Sequence, residues 1–310
     1  MNELHNAEKF FRELQDFLSK QNIHSEEQLQ ELSEQFFEEY NARPKSQVTE
    51  ENARTAEDYI ELAEESNKKK DKARFLKKAL EIDQNNIEAS MQLIDLLATD
   101  ENQHLKELKN LLEESREHLQ KKFSKFEETD ELKPLIKLYD DYIGRLISLG
   151  KMSLAAKSGE EMLQLFDEDV LGMRYILMHL YAHLENEPAA LNLLSRYDDK
   201  TLMFYLPLSV LYYKMDQEEK SLEYLRKLVE MNKDTRRFFA SFGTKKMEDL
   251  ASEIMPFGAY QLNTMSEYMV CMMAHRYLYE ENVSYMLWAK NIVKDMKKVS
   301  KRVQSILDNE

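Results

Sequence analysis

Residues 172–199 read GMRYILMHLYAHLENEPAALNLLSRYDD. Glu185-Asn186-Glu187-Pro188 divides the stretch, and so short a polar break between two apolar runs predicts a tight turn between two helices. In the second helix Ala190 is followed by Leu194 four residues on and by Tyr197 three further. Those steps share one helical face. A small residue at the first position lets two helices pack closely, and a bulky one at the second fills the gap between neighbouring pairs. The next stretch repeats the arrangement, with Met215-Asp216-Gln217-Glu218 as the turn and Ser221, Leu225 and Leu228 after it.

Two further segments follow the spacing, Ala155/Gly159/Met162 and Lys72/Leu76/Ala79. The starts at 155, 190 and 221 lie close to the 34-residue tetratricopeptide period. Lys72 stands where a small residue is expected, Gln84 where proline is usual and Gly159 where a bulky residue is expected. Long helices between 102 and 149 interrupt the period.

The remaining chain reads as helices throughout. Leu4, Ala7, Phe10, Phe11, Leu14, Phe17 and Leu18 recur at three- and four-residue steps. Ser25 and Gln28 give a capping-box signal for a helix carrying Leu29, Leu32, Phe36, Phe37 and Tyr40, ended by Arg43-Pro44. Residues 1–44 are thus predicted to form a helical hairpin and 45–49 a connector. Thr49 is the expected N-cap of a helix with Ala53, Ala56, Tyr59, Ile60 and Ala63 on its face. DKARFLKKALEIDQNN, residues 71–86, gives its partner and exit turn. Helices are expected over 87–97, about 102–126 and 130–149, the last with Pro134 in its first turn and Gly150 as C-cap. Others are expected near 246–253, 264–280 and 283–307, with a loop at 254–263 around Pro256 and Gly258. The last helix sets Ile292, Val293, Met296, Val299, Val303 and Ile306 against a lysine-rich face.

Composition agrees with an all-α chain. Of 310 residues only 6 are glycine and 5 proline, where average usage gives roughly 22 and 15. That scarcity argues against sandwich, barrel and dinucleotide-binding folds, and no glycine-rich phosphate loop occurs. Apolar residues make up 43% and charged residues 33%, which suits amphipathic helices around a core rather than disorder. A net charge of -15 disfavours nucleic acid and anionic membranes as partners. The single cysteine, Cys271, permits no internal disulfide and suits a reducing cytosol. Neither a signal peptide nor a membrane-spanning run is visible, so a cytoplasmic location is expected.

Several segments resemble, in their order along the chain, a family of bacterial tetratricopeptide proteins related to the suppressor of tumorigenicity 7 group. They are AEDYIELAEE with KKALEIDQNNIEA, LGKMSLAAKSGEEML, the stretch 172–199, KSLEYLRKLVEMNKD and YMLWAK with Trp288. The likeness spans roughly residues 53–290, with Ala79-Leu80-Glu81-Ile82-Asp83 similar to the family's helix-ending sequence. It implies a tetratricopeptide-like α-α superhelix, a helical-repeat solenoid, over 50–310, with the N-terminal hairpin of 1–44 outside it. It implies no catalytic, cofactor or ligand residues.

His179 and His183 are four apart, as a metal pair would be, but MHLYAH lacks the glutamate of an H-E-x-x-H site and no third ligand is evident. Cys271 lies in the apolar YMVCMMAH and reads as a buried, inert thiol. Asp140-Asp141 and Asp198-Asp199 read as solvated faces or turns, and the basic run Lys68 to Lys78 as an exposed face neutralising nearby glutamates. Tyr175, Tyr181, Phe204, Tyr205, Tyr212 and Tyr213 exceed what a narrow apolar stripe needs, so some are expected to line a concave groove. The expected function is therefore a non-enzymatic scaffold that receives a protein or peptide partner and needs no cofactor or metal. The rival expectations are a metal-dependent enzyme using His179 and His183, and a homo-oligomer pairing through residues 291–310.

Overall fold

The computed structural model describes residues 14, 17–18, 21, 26–42, 48–124, 126–127, 129–166, 168–251 and 260–307. They are helical almost throughout, and no β-strand occurs among them. Most of the predicted first helix, Ser25, residues 43–47 with the start of the connector expected at 45–49, and residues 252–259 with most of the loop expected at 254–263 lie outside the described residues. Contacts divide the chain into two compact units, 1–142 and 143–310.

In the first unit α1 spans Glu26–Ala42. Leu14 and Leu18 are buried with Leu29 and Phe36, and the Phe17 and Phe36 rings lie 5.2 Å apart. Helices α2 (Ala56–Glu65), α3 (Lys69–Ile82), α4 (Ile87–Leu97) and α5 (Glu101–Lys122) follow, each packed on the next. The N-cap of α2 is Thr55, not Thr49. Thr55 Oγ1 accepts from the Asp58 N–H while Asp58 Oδ2 accepts from the Thr55 N–H, a full capping box. Thr49 instead closes the preceding turn, its carbonyl accepting from Asn52 and Ala53. Ala56, Ala63, Ala79 and Ala89 bring α2, α3 and α4 close around Ile60, Phe75 and Leu76. Helix α5 ends at Lys122, short of the expected 126. Helix α6, Lys133–Ser148, carries the boundary between the units.

The second unit continues with α7 (Met152–Leu165), α8 (Met173–His183), α9 (Glu187–Tyr197), α10 (Leu202–Lys214) and α11 (Glu218–Met231). The turns before α7, α9 and α11 share one geometry. Gly150, Glu185 and Asp216 are left-handed, at φ 70°, 55° and 54°. The following N–H reaches back five residues each time: Lys151 to Leu146, Asn186 to Tyr181 and Gln217 to Tyr212, at 2.8–2.9 Å. This is the Schellman closure, which satisfies carbonyls left over at a helix end. Five residues after each left-handed position stand Ala155, Ala190 and Ser221, all fully buried. The predicted small residues are therefore in structural register. Gly159 has its own reason: a Cβ there would meet Leu177 Cδ2 and Met173 Sδ at 3.0 Å. Helix α8 already fills the space a bulky residue would take.

Helix α10 is the centre of this unit. From Leu202 to Tyr212 every residue except Tyr205 is buried, because α8, α11, α14 and α16 pack around it. At its crossing with α11, Ser209 Oγ donates to the Ser221 carbonyl at 2.9 Å and Ser221 Oγ donates to the Ser209 carbonyl at 2.7 Å. Helices α12 (Thr235–Ser241), α13 (Lys246–Ala251), α14 (Met265–Ala274), α15 (Arg276–Tyr279) and α16 (Val283–Leu307) complete the chain. The helix expected over 264–280 is broken at His275, whose φ of -125° and ψ of 39° separate α14 from α15.

Ser221→Ala is expected to cost about 1 kcal/mol, because it removes the hydroxyl bond that the buried Ser209 carbonyl accepts across the crossing. Ser221→Leu, which also forces the helices apart, is expected to cost roughly 3 kcal/mol. Denaturant titration of both variants measures the difference. Equal midpoints would show that the crossing is loosely packed.

Candidate functional site

Two regions position polar chemistry. The first is a recess of about 380 Å³ in the first unit. Its walls are the start of α2, the α3–α4 turn, the second half of α5 and the approach to α6. Ile60, Ile87, Leu111, Leu119 and Pro134 supply apolar surface, and Glu57, Asp83, Glu88, Glu114 and Glu131 supply carboxylates. Asn86 fixes the turn by capping α4, its Oδ1 accepting from the Ala89 N–H at 2.9 Å. Glu88 is paired with Lys137 at 2.9 Å, and Glu131 with Lys122 at 3.3 Å. Glu57, Asp83 and Glu114 have no cationic partner among the described residues. The recess is thus an anionic rim over apolar walls, suited to a cationic side chain with an aliphatic stem. Nothing in the sequence marked it: its residues are spread from 57 to 134 and each is ordinary by itself.

The basic run on α3 behaves as a charge-balancing face. Arg74 and Lys78 both bind Glu50, and these hydrogen bonds, Arg74 first, hold its carboxyl down to about 2. The Arg74 guanidinium also lies 4.3 Å over the Phe75 ring.

The second region contains the six aromatic candidates. Phe204, Tyr181 and Tyr212 are buried, while Tyr175, Tyr205 and Tyr213 are half-buried. Tyr212 stacks on Tyr224 at 5.7 Å, and Tyr205 lies 5.7 Å from Tyr224. Tyr213 packs with Tyr285 and Trp288, at 5.5 Å and 5.2 Å. Tyr175 meets Phe204 edge-on at 5.9 Å. Arg174 organises this end: its Nε donates to Asp199 at 3.0 Å, its terminal nitrogens reach Asp169 and the Tyr175 hydroxyl, and its plane covers the Tyr175 ring at 4.2 Å. Asp199 is therefore a nearly buried ion-pair partner rather than a solvated turn residue, while Asp198 is the left-handed C-cap of α9.

His179 and His183 do not form a pair. His179 is fully buried; its Nδ1 donates to the Tyr175 carbonyl at 2.7 Å, and its Nε2 meets the Tyr279 hydroxyl at 2.8 Å and Cys271 Sγ at 3.3 Å. A carbonyl only accepts, so Nδ1 carries the proton and Nε2 is the acceptor. Both nitrogens are committed within the fold. His183 lies 3.6 Å from Glu281 instead. The His275 ring stacks on His179 with centroids 3.6 Å apart. Burial pushes His275 down to about 3, and burial together with the facing His275 holds His179 well below the ordinary imidazole range. Cys271 is buried and its thiol is pushed up to about 12 by that burial, so it is not a thiolate at neutral pH.

No model of a known protein family matches the chain, and no curated protein matches it. Among the described residues, no helix is long and apolar enough to cross a membrane.

Both rings of the stacked pair are neutral when folded and titrate near 6.5 when unfolded. Below that value the unfolded chain binds more protons, so stability is complete above about pH 6.5 and declines as pH falls towards 3. At pH 5 the loss is on the order of 2 kcal/mol for His275, and His179 adds to it in the same direction. His275 Nδ1 has no hydrogen-bond partner, so His275→Phe keeps the stack and removes one titrating group. The fall in melting temperature between pH 7 and pH 5 is expected to be smaller in this variant than in the parent. An identical fall would show that His275 carries no proton linkage.

Proposed function

We propose that this chain is a non-enzymatic interaction scaffold of the tetratricopeptide-like kind, whose first unit receives a lysine- or arginine-bearing segment of a partner protein. The helical-repeat reading is supported by the three turns of shared geometry and by the buried small residue five positions after each. The observation that carries the partner's chemistry is the recess, where Glu57, Asp83 and Glu114 stand without cations over apolar walls. Stacked helix pairs commonly present such concave surfaces to peptides. In the second unit the half-buried Tyr175, Tyr205 and Tyr213 are the proposed contact residues, packed against Phe204, Tyr224 and the Tyr285 and Trp288 rings respectively. With a buried thiol and no disulfide, the scaffold is suited to the cytoplasm.

Fluorescence anisotropy with short labelled peptides tests this reading. A lysine- and arginine-rich peptide is expected to bind and to weaken as salt is raised, while a glutamate-rich peptide of equal length does not bind. Glu57→Gln combined with Glu114→Gln is expected to weaken binding roughly fivefold, two rim charges each contributing up to about 1 kcal/mol. The melting temperature should not change, since both side chains are exposed. Binding by the double variant at full strength would place the contact elsewhere.

A further inference from the structure

We infer that Asp95, His104 and Asp141 form a site for one divalent cation of the zinc class, clipping three successive helices of the first unit together. Asp95 lies on α4, His104 on α5 and Asp141 on α6. One ligand atom from each falls within 4.8 Å of the other two.

His104 gives the strongest indication. The residue is 7% exposed, so its imidazole is nine-tenths buried, and its Nε2 makes no hydrogen bond. Yet Nε2 sits 2.8 Å from Asp95 Oδ1. The carboxylate is therefore beside the ring nitrogen but off its N–H axis. Two ligands of one ion stand this way: both point at a common centre, and at metal–ligand distances near 2.1 Å they lie about 3 Å from each other. A buried ring nitrogen without a hydrogen bond is otherwise costly.

The α4–α6 interface sets the charges. Glu88 and Asp95 are two turns apart on one side of α4, and Lys137 and Asp141 are one turn apart on one side of α6. At the first level Lys137 donates to Glu88 at 2.9 Å. At the second level two carboxylates and a buried imidazole come together. A dication matches the two negative charges, and the imidazole selects a borderline metal such as zinc over calcium or magnesium, which take oxygen ligands. Asp95 is exposed and Asp141 half-buried, so rotation of a carboxylate closes the wider separations and water completes the coordination. His104 of α5 and Asp141 of α6 then link to Asp95 of α4 through the ion, which makes the site structural in role.

The test uses the full chain, stripped of metal by a chelator and titrated with zinc chloride in a calorimeter. One equivalent is expected to bind with a dissociation constant in the low-micromolar range or below. At a zinc concentration about a hundredfold above that constant, the melting temperature should rise by roughly 5 °C. Asp95→Asn and Asp141→Asn, both at accessible positions, should fold without metal by circular dichroism and bind zinc at least tenfold more weakly. Cobalt added in place of zinc should give visible absorption that His104→Gln abolishes. Absence of one-equivalent binding would overturn the proposal and leave only a His104–Asp95 contact. Unchanged binding in both aspartate variants would overturn it equally, by placing the metal at another site.

Discussion

A helix apolar around its whole circumference has no face to give to water, and α10 is such a helix. Much of the second unit is arranged around that constraint. Helices α8, α11, α14 and α16 close on it, and the closest crossing is made by side chains small enough to allow it, Ser209 and Ser221. Their hydroxyls answer each other's carbonyls, so the approach buries no orphan donor. The end of α10 is tied in the same manner: Lys214 donates to the last carbonyls of α8, including that of Ala182 at 3.2 Å, where a cation also favours the helix terminus. Pro207 is tolerated within α10, where it has no N–H to give.

Enclosure of α10 also explains which aromatic residues the sequence made conspicuous. A surplus of rings over a one-sided stripe implies either a groove or a helix covered on several sides, and periodicity alone does not separate the two. In α10 covering wins for Phe204 and Tyr212, which neighbours reach from flanks the stripe leaves open. Tyr213 keeps part of its surface beside Trp288, which is itself half-buried, and Tyr205 keeps part of its own although Tyr224 beside it is buried. Burial of an aromatic is thus decided by the third and fourth neighbouring helices, which a single helical pattern does not contain.

Local signals were legible where local chemistry decides the structure. The helix over 87–97 matches its predicted span, as does the turn at Gly150, because a cap or a left-handed glycine acts within a few residues. Thr49 misled because it is followed three residues on by Asn52, whereas a second threonine, Thr55, is followed three residues on by an acid, Asp58, and lies closer to the apolar face. The break at His275 lay outside local reach. YMVCMMAHRYLYE has neither glycine nor proline, and the interruption serves the stacking of His275 on His179, ninety-six positions earlier in the chain. Asp95, His104 and Asp141 are similarly invisible, since each comes from a different helix and none has a partner at metal-motif spacing.

Glycine scarcity gives the repeat its particular form. Left-handed turns usually take glycine because other residues meet their own Cβ there, at a cost of roughly 1–2 kcal/mol. This chain places Glu185 and Asp216 at two of the three equivalent turns and glycine only at Gly150. The backbone hydrogen bonds are nevertheless the same in all three. What recurs is therefore the closure and the buried small residue five positions later, while the residue at the turn itself is free to vary. Ala155, Ala190 and Ser221 share this constraint because each is fully enclosed. A turn held by backbone closure and one small side chain keeps its geometry while the residue at its left-handed position varies, and here the spacing of small residues carries more structural information than the identity of the turn.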